Sequence, residues 1–291
     1  MQNKVVITCD STCDLTPDIM EKYGIHILPL VIVMGENEYR DAVDIVPADI
    51  FAYFEKNKQL AKTTAVNVAE YYGYFKKFTD QGLAVIHINI SAEMSVCHHN
   101  ACKAAAELPN AYAVDSRNLS TGSGLLVIRA AELAKEGMKA PEIVKELNEM
   151  ALRVDASFII DTLEYLHKGG RCSSVAALGA NLLRLKPCIE VVNGKMGVGK
   201  KYRGKIDEVL PKYTADRLLG ADDIDKKRIF ITYADIVPET VKKVLEIVRA
   251  TGDFGEIIEC TVGSTVAVHC GPGTLGVLFE RKTKNARGAN K

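Results

Sequence analysis

Neither sign of charge is in excess in this 291-residue chain, where 37 lysines and arginines stand against 37 aspartates and glutamates. That balance removes the electrostatic footprint of a general nucleic-acid or membrane-surface binder, so any basic patch is local. No apolar run reaches the roughly 20 residues that a membrane-spanning helix needs. Met1 to Asn3 leads directly into the strand-like KVVITC, which offers no leader segment, and the chain is expected to be cytoplasmic. There is no C-x-x-C among the eight cysteines, which therefore read as reduced thiols. Cys97, His98, His99 and Cys102 crowd one stretch, but adjacent histidines on a helix point in different directions and zinc-ligand spacing is unmet, so no metal is expected. A G-x-S-x-G nucleophile elbow is also missing.

What is present is an alternation of strand and helix signals. β-Branched runs at 4–9, 25–34 (IHILPLVIVM, read as one buried strand), 83–90 and 111–115 alternate with helical patterns near 17–22, 47–56, 68–80 and 97–108. In the 68–80 helix, Tyr71, Tyr72, Phe75 and Phe78 form an aromatic stripe of the kind that fills a core. Two longer helical patterns, 121–136 and 141–153, close this half, and Gly122-Ser123-Gly124 is read as a helix cap. Such alternation predicts a parallel sheet covered on both faces, with ligands bound beyond the carboxyl ends of the strands. The loops at Asp10-Ser11, Ser91 to Ser95 and Asp115-Ser116 are then expected to lie together.

The second half begins with SFIID at 157–161. Asn193-Gly194, between CIEVV and KMGVG, is a type I′ hairpin signal. Strands are read at 228–234, 256–262, 265–270 (TVAVHC) and 274–279, with a helix at 238–251. This predicts an α/β protein in two domains. Residues 1–155 form a Rossmann-like parallel-sheet domain, and 156–285 an α+β domain with a largely antiparallel sheet. A tail at 286–291 ends a basic, apolar-poor terminus that begins at 280 and is expected to be disordered.

Gly194 to Lys201 matches a phosphate-binding loop until Lys201 replaces the Ser or Thr that would hold magnesium. A phosphate loop must join a strand to a helix N-terminus, whereas this string lies on a hairpin, so no nucleotide site is expected. Gly169-Gly170-Arg171 reads as a helix end with a cation attached, and Lys200, Lys201 and Arg203 add to the local positive charge. His269 stands before the Cys270-Gly271-Pro272-Gly273 turn, which suits a ring held at a surface.

The stretch LEYLHKGGRCSSVAALGANLLRLKPCIEVVNGKMGVGKKYRGK, from 163 to 205, resembles the L-x-x-L-x-K-G-G-R-I-S, I-K-P and K-x-R pattern of the DegV family. The likeness runs from the Asp10-Ser11 loop to His269-x-Gly271-Pro272-Gly273. Cys172 and Leu185 stand where isoleucines are usual. The resemblance implies a cytoplasmic, non-enzymatic carrier that buries a long-chain fatty acid between two domains. It further implies that the carrier presents the carboxylate to a separate ATP-dependent fatty acid kinase, which makes an acyl phosphate for phospholipid synthesis. By position, Thr63 and Ser95 would grip the carboxylate. Thr64, Gly170 and His269 join them as ligand contacts, and Arg171, Arg203 and His269 would face the kinase. The loops at Thr63 to Asn67 and Met94 to His99 depart from the family pattern but keep these hydroxyls. Residues 175–185 would wall the acyl tunnel. No cofactor, metal or nucleic acid is implied, and transient membrane contact is allowed. Two other readings stay open: a hydrolase or transferase on a small anionic ester in which Ser95 and His269 meet, and a lipid-sensing regulator.

Overall fold

The computed structural model describes residues 4–176 and 185–285. The chain opens with β1 (Val5–Asp10), a 3-10 turn at Ser11–Cys13 and α1 (Pro17–Tyr23), which starts on a proline and ends on Gly24 at φ 64°. IHILPLVIVM then splits in two. β2 (His26–Leu28) is the edge of one sheet, while β3 (Val31–Met34) belongs to another. Pro29 has no N–H for a ladder, and the next amide, Leu30, donates to Ser11 Oγ at 3.1 Å instead. Hydrophobicity alone cannot show this break.

Next come β4 (Asn37–Arg40), α2 (Pro47–Asn57), β5 (Lys62–Thr64), α3 (Val68–Thr79), β6 (Ala84–Asn89), α4 (Cys97–Ala106), β7 (Ala111–Asp115), α5 (Ser120–Lys135) and α6 (Ala140–Met150). Asn67 and Glu70 form a capping box on α3, and Tyr71 and Phe75 are fully buried while Tyr72 faces out. The second half contains β8 (Val154–Ile159), α7 (Glu164–Gly169), α8 (Ser173–Ala176), β9 (Leu185–Val192), β10 (Lys195–Arg203), α9 (Ile206–Leu218), β11 (Ile224–Ala234), α10 (Pro238–Thr251), β12 (Glu256–Thr261), α11 (Ser264–Cys270) and β13 (Thr274–Arg281). The sequence reading has no counterpart for α9, whose pattern is interrupted by Pro211.

Three sheets result. A parallel sheet has the order β2-β1-β6-β7, a larger sheet the order β10-β9-β8-β13-β11-β12, and a small one the order β4-β3-β5. In the larger sheet only β11 and β12 pair in parallel, so the largely antiparallel character expected of the second half holds. Helix α5 lies between the two main sheets and touches β1 and β6 on one side and β8, β11 and β13 on the other. Almost its whole length is buried, so small residues are needed where backbones approach. A Cβ on Gly124 would come within 2.8 Å of the Leu15 side chain and 3.0 Å of the Cys13 carbonyl oxygen. Gly122 and Gly124 therefore lie inside the helix as close-packing positions, not at its cap.

Two expectations fail in the second half. TVAVHC is a helix, not a strand, because α11 is buried on nearly every side and shows no amphipathic period, while its β-branched residues imitate a strand. Tertiary bonds hold it: the Gly263 and Ser264 amides donate to the carboxylates of Asp14 and Asp41 at 2.8 and 2.9 Å. Residues 281–285, part of the terminus expected to be disordered, are also packed on the fold. Arg281 is buried and pairs with Asp155 and Asp223, and the Asn285 amide donates to the Leu152 carbonyl at 3.0 Å.

Candidate functional site

The element that gathers the site is α11, which packs on α2, α7, β3, β5 and the turn after β1. Between it and the loop at 91–96 lies a cavity of about 360 Å³, within the range of small-molecule sites. Its lining is mostly apolar, with Leu30, Ile90, Met94, Leu119, Met196 and Val266 among the walls. Thr63, Thr64, Ser95, Arg171 and His269 line the same cavity, so residues more than 200 positions apart in sequence meet there.

Thr63 comes from β5, where it pairs with Ile32 of β3. Its Oγ1 lies 3.0 Å from His269 Nε2. Burial first, and then the charge of Arg171, push the His269 pKa down to about 4, so the ring is neutral at pH 7. The other ring nitrogen, Nδ1, is buried without a partner among the described residues. A stranded lone pair costs less than a stranded N–H, which places the proton on Nε2, donating to Thr63. The Thr63 hydroxyl then keeps its own proton for an acceptor in the cavity.

Ser95 reaches the same state by a different route. Its amide donates to the Ser91 carbonyl at 3.1 Å, and its Oγ accepts from the Cys97 amide at 3.2 Å at the start of α4. With one lone pair so used, the hydroxyl proton stays available. Arg171 completes this polar end; its side chain is exposed and donates from Nη1 to the Gly169 carbonyl at 2.8 Å.

The glycine pair before Arg171 divides its work. Gly170, at φ 68°, caps α7 in the left-handed region and is exposed; it is not among the residues lining the cavity. Gly169 is the one that serves the site, because a Cβ there would lie 2.5 Å from His269 Nδ1. Arg203 sits exposed on β10 and does not line the cavity. Residues 177–184, most of the expected tunnel wall, lie outside the described residues. Sequence reasoning missed Thr12, Thr265 and Met196, which only packing brings to the cavity, and it read Gly169 as part of a helix end without giving it a role beside His269.

The hairpin forms part of the wall. Met196 lines the cavity, and the tip is tied to the 91–96 loop where the Ser91 hydroxyl donates to the Gly194 carbonyl at 2.7 Å. The phosphate-loop string is thus strand and turn, with Lys200 paired to Asp216 at 2.6 Å. Of the three loops expected together, that of Asp115 supports rather than lines the cavity; its carboxylate accepts from the Ala92 amide at 3.1 Å. Among the described residues, no group of three or more His, Cys, Asp and Glu could hold a metal. In the crowded stretch Cys102 Sγ lies 3.4 Å from His98 Nε2, while Cys97 is buried.

One arrangement looks catalytic and is sealed. His87 lies 2.7 Å from Thr8 Oγ1 through Nδ1 and 3.0 Å from Asp10 Oδ1 through Nε2. All three are 0% exposed, and Asp10 also accepts from Tyr71 and Asn89. No substrate reaches them, so the network organises the interior of the parallel sheet.

Fold and site together define an α/β protein with a mostly apolar cavity that ends in hydroxyls, a neutral histidine and an arginine. Residues 4–282 match the DegV family, described as uncharacterised, and the chain belongs to that family. It is 32% identical to a DegV domain-containing protein of Clostridium acetobutylicum, over 96% of this chain and 99% of that one. Two solved structures are similar. A DegV family protein from Thermus thermophilus, described by its fatty acid binding, has a TM-score of 0.86 at 27% identity, covering 96% of this chain and 99% of that one. A stearic-acid-binding protein from Eubacterium ventriosum has a TM-score of 0.80 at 25% identity, covering 95% and 98%.

Proposed function

We propose that this protein binds a long-chain fatty acid in the cavity beside α11 and presents its carboxylate to a partner ATP-dependent kinase for acyl-phosphate formation. One observation carries the reading: the hydroxyls of Thr63, 3.0 Å from His269 Nε2, and of Ser95, which accepts from the Cys97 amide, line a mostly apolar cavity together with Arg171 at its polar end. A carboxylate fits that end and an alkyl tail fits the rest. Burying about 14 methylenes at roughly 0.8 kcal/mol each contributes about 11 kcal/mol gross. Bonds to the carboxylate contribute roughly 1.5–3 kcal/mol each and must offset its desolvation. The tail sets affinity, and the hydroxyls set orientation. Similarity to proteins described as fatty acid binding supports the ligand class.

The carrier reading is favoured over a hydrolase by the state of His269. A ring held near pKa 4 is a weak general base, and its Nδ1 lacks the carboxylate that would orient it. The exposure of Arg171, which lines the cavity, supports a role in meeting the partner, and the kinase supplies the nucleotide site. The protein works in the cytoplasm with no cofactor of its own. Native mass spectrometry of gently purified protein tests the ligand: a co-purified fatty acid is expected, and a lipid-free protein that also fails to bind oleate would sink the reading. Adding the kinase and ATP separates carrier from sensor, since only a carrier supports acyl-phosphate formation.

A further inference from the structure

The cavity holds two hydroxyls that its charged end does not use. Thr12, on the turn after β1, and Thr265, on α11, are 1% and 4% exposed and both line the cavity. Neither Oγ1 has a hydrogen-bond partner among the described residues. Threonines in a helix ordinarily hand the hydroxyl to a carbonyl one turn back, as Thr214 does to Leu210 at 2.9 Å and Thr251 to Ile247 at 3.0 Å. Thr265 is the second residue of α11 and has no helical turn before it. Valine has nearly the same shape and would line a hydrocarbon tunnel without stranding an oxygen. Two such oxygens on packed elements suit a ligand that is not hydrocarbon throughout.

We infer that Thr12 and Thr265 form a polar subsite for an oxygen substituent on the acyl chain, so that the preferred ligand is a hydroxy or keto long-chain fatty acid. The inference rests on the proposed fatty-acid reading. Each threonine hydroxyl donates and accepts, which matches a hydroxyl and also serves a ketone. Thr265 and His269 are four residues apart on α11, hence on one face and about 6 Å apart along its axis. With the carboxylate beside His269, the substituent lies in the carboxyl-proximal part of the chain, well short of the methyl end.

Binding of hexadecanoate, 3-hydroxyhexadecanoate, 5-hydroxyhexadecanoate and 12-hydroxyoctadecanoate to delipidated full-length protein tests this by calorimetry. At least one proximal hydroxy acid is expected to bind about tenfold tighter than hexadecanoate, equivalent to about 1.4 kcal/mol, and the 12-hydroxy acid is not. In Thr12→Val and Thr265→Val the affinity ratio should fall toward one, while Thr265→Ser, which keeps the hydroxyl, retains it. Thermal melts confirm folding, and either valine variant suffices if the other fails to fold. Equal affinity for hexadecanoate and both proximal hydroxy acids, or a ratio unmoved by valine, overturns the inference and leaves cavity water as the partner of these hydroxyls. Failure of every acid to bind would instead overturn the fatty-acid reading beneath it.

Discussion

At the scale of single residues, the proposed binding mode separates grip from orientation. Ser95→Ala is expected to weaken fatty acid binding by about 1.5 kcal/mol, the low end for one hydrogen bond to a charged group, and to reduce acyl-phosphate production with the kinase by a larger factor. Isothermal calorimetry and a coupled phosphorylation assay check the two effects, and unchanged production would remove Ser95 from the carboxylate end. His269 carries a pH signature. Its pKa lies near 4 in the fold against an ordinary 6.5, so between those values the unfolded chain binds more protons. The His269 contribution to stability should therefore fall as pH drops through that window, by up to about 3 kcal/mol; because the Asp14 contribution runs the other way there, His269→Asn should leave stability falling as pH rises across the window in urea unfolding. Thr63, Ser95 and His269 were legible through resemblance of their surroundings to a family pattern. Gly169 was not, because its role is the space it leaves for a ring about 100 positions away.

At the scale of elements, short segments owe their conformation to what they touch. The hairpin tip has Asn193 at φ 50° and Gly194 at φ 83°, as the Asn-Gly pair predicts. A Cβ on Gly194 would also lie 2.7 Å from Ser91 Oγ. Gly194→Ala should cost about 1–2 kcal/mol for the left-handed backbone alone and loosen the loop that carries Ser95. Chemical denaturation and fatty acid affinity should both register it. The start of α11 depends on Asp14, whose pKa burial, aided by Asp41, pushes up to about 8 despite bonds from Ser120 and Gly263. Here the folded state binds more protons between the ordinary 3.8 and about 8, so stability falls as pH rises across that range. Asp14→Asn should remove that slope, which opposes the His269 slope at lower pH. Helix α11 could not be read from its own residues, since burial on nearly all sides erases the period that distinguishes helix from strand.

At the scale of the whole molecule, α5 lies between the two main sheets, and a buried ionic cluster ties the strands of the larger sheet to α9. Asp155 on β8 is 1% exposed and pairs with both Arg217 and Arg281. Asp155→Ala, which removes the buried carboxylate shared by two guanidinium groups and leaves them only Glu190 and Asp223, should cost about 3 kcal/mol in equilibrium unfolding. Ligand should act in the opposite direction. At a hundredfold excess over Kd, a fatty acid contributes about 2.7 kcal/mol, which for a chain of this size raises Tm by roughly 4 °C, and delipidation should reverse the shift. The sequence by itself determined the α/β alternation, the Asn-Gly hairpin and the rejection of the phosphate-loop string, because periodicity and turn chemistry are local. Only the tertiary structure decided that α11 is a helix, that Pro29 divides two strands between sheets, and that Thr12 and Thr265 face the cavity holding Thr63 and Ser95. Those facts depend on which distant atoms stand beside a residue, and a linear pattern does not record them.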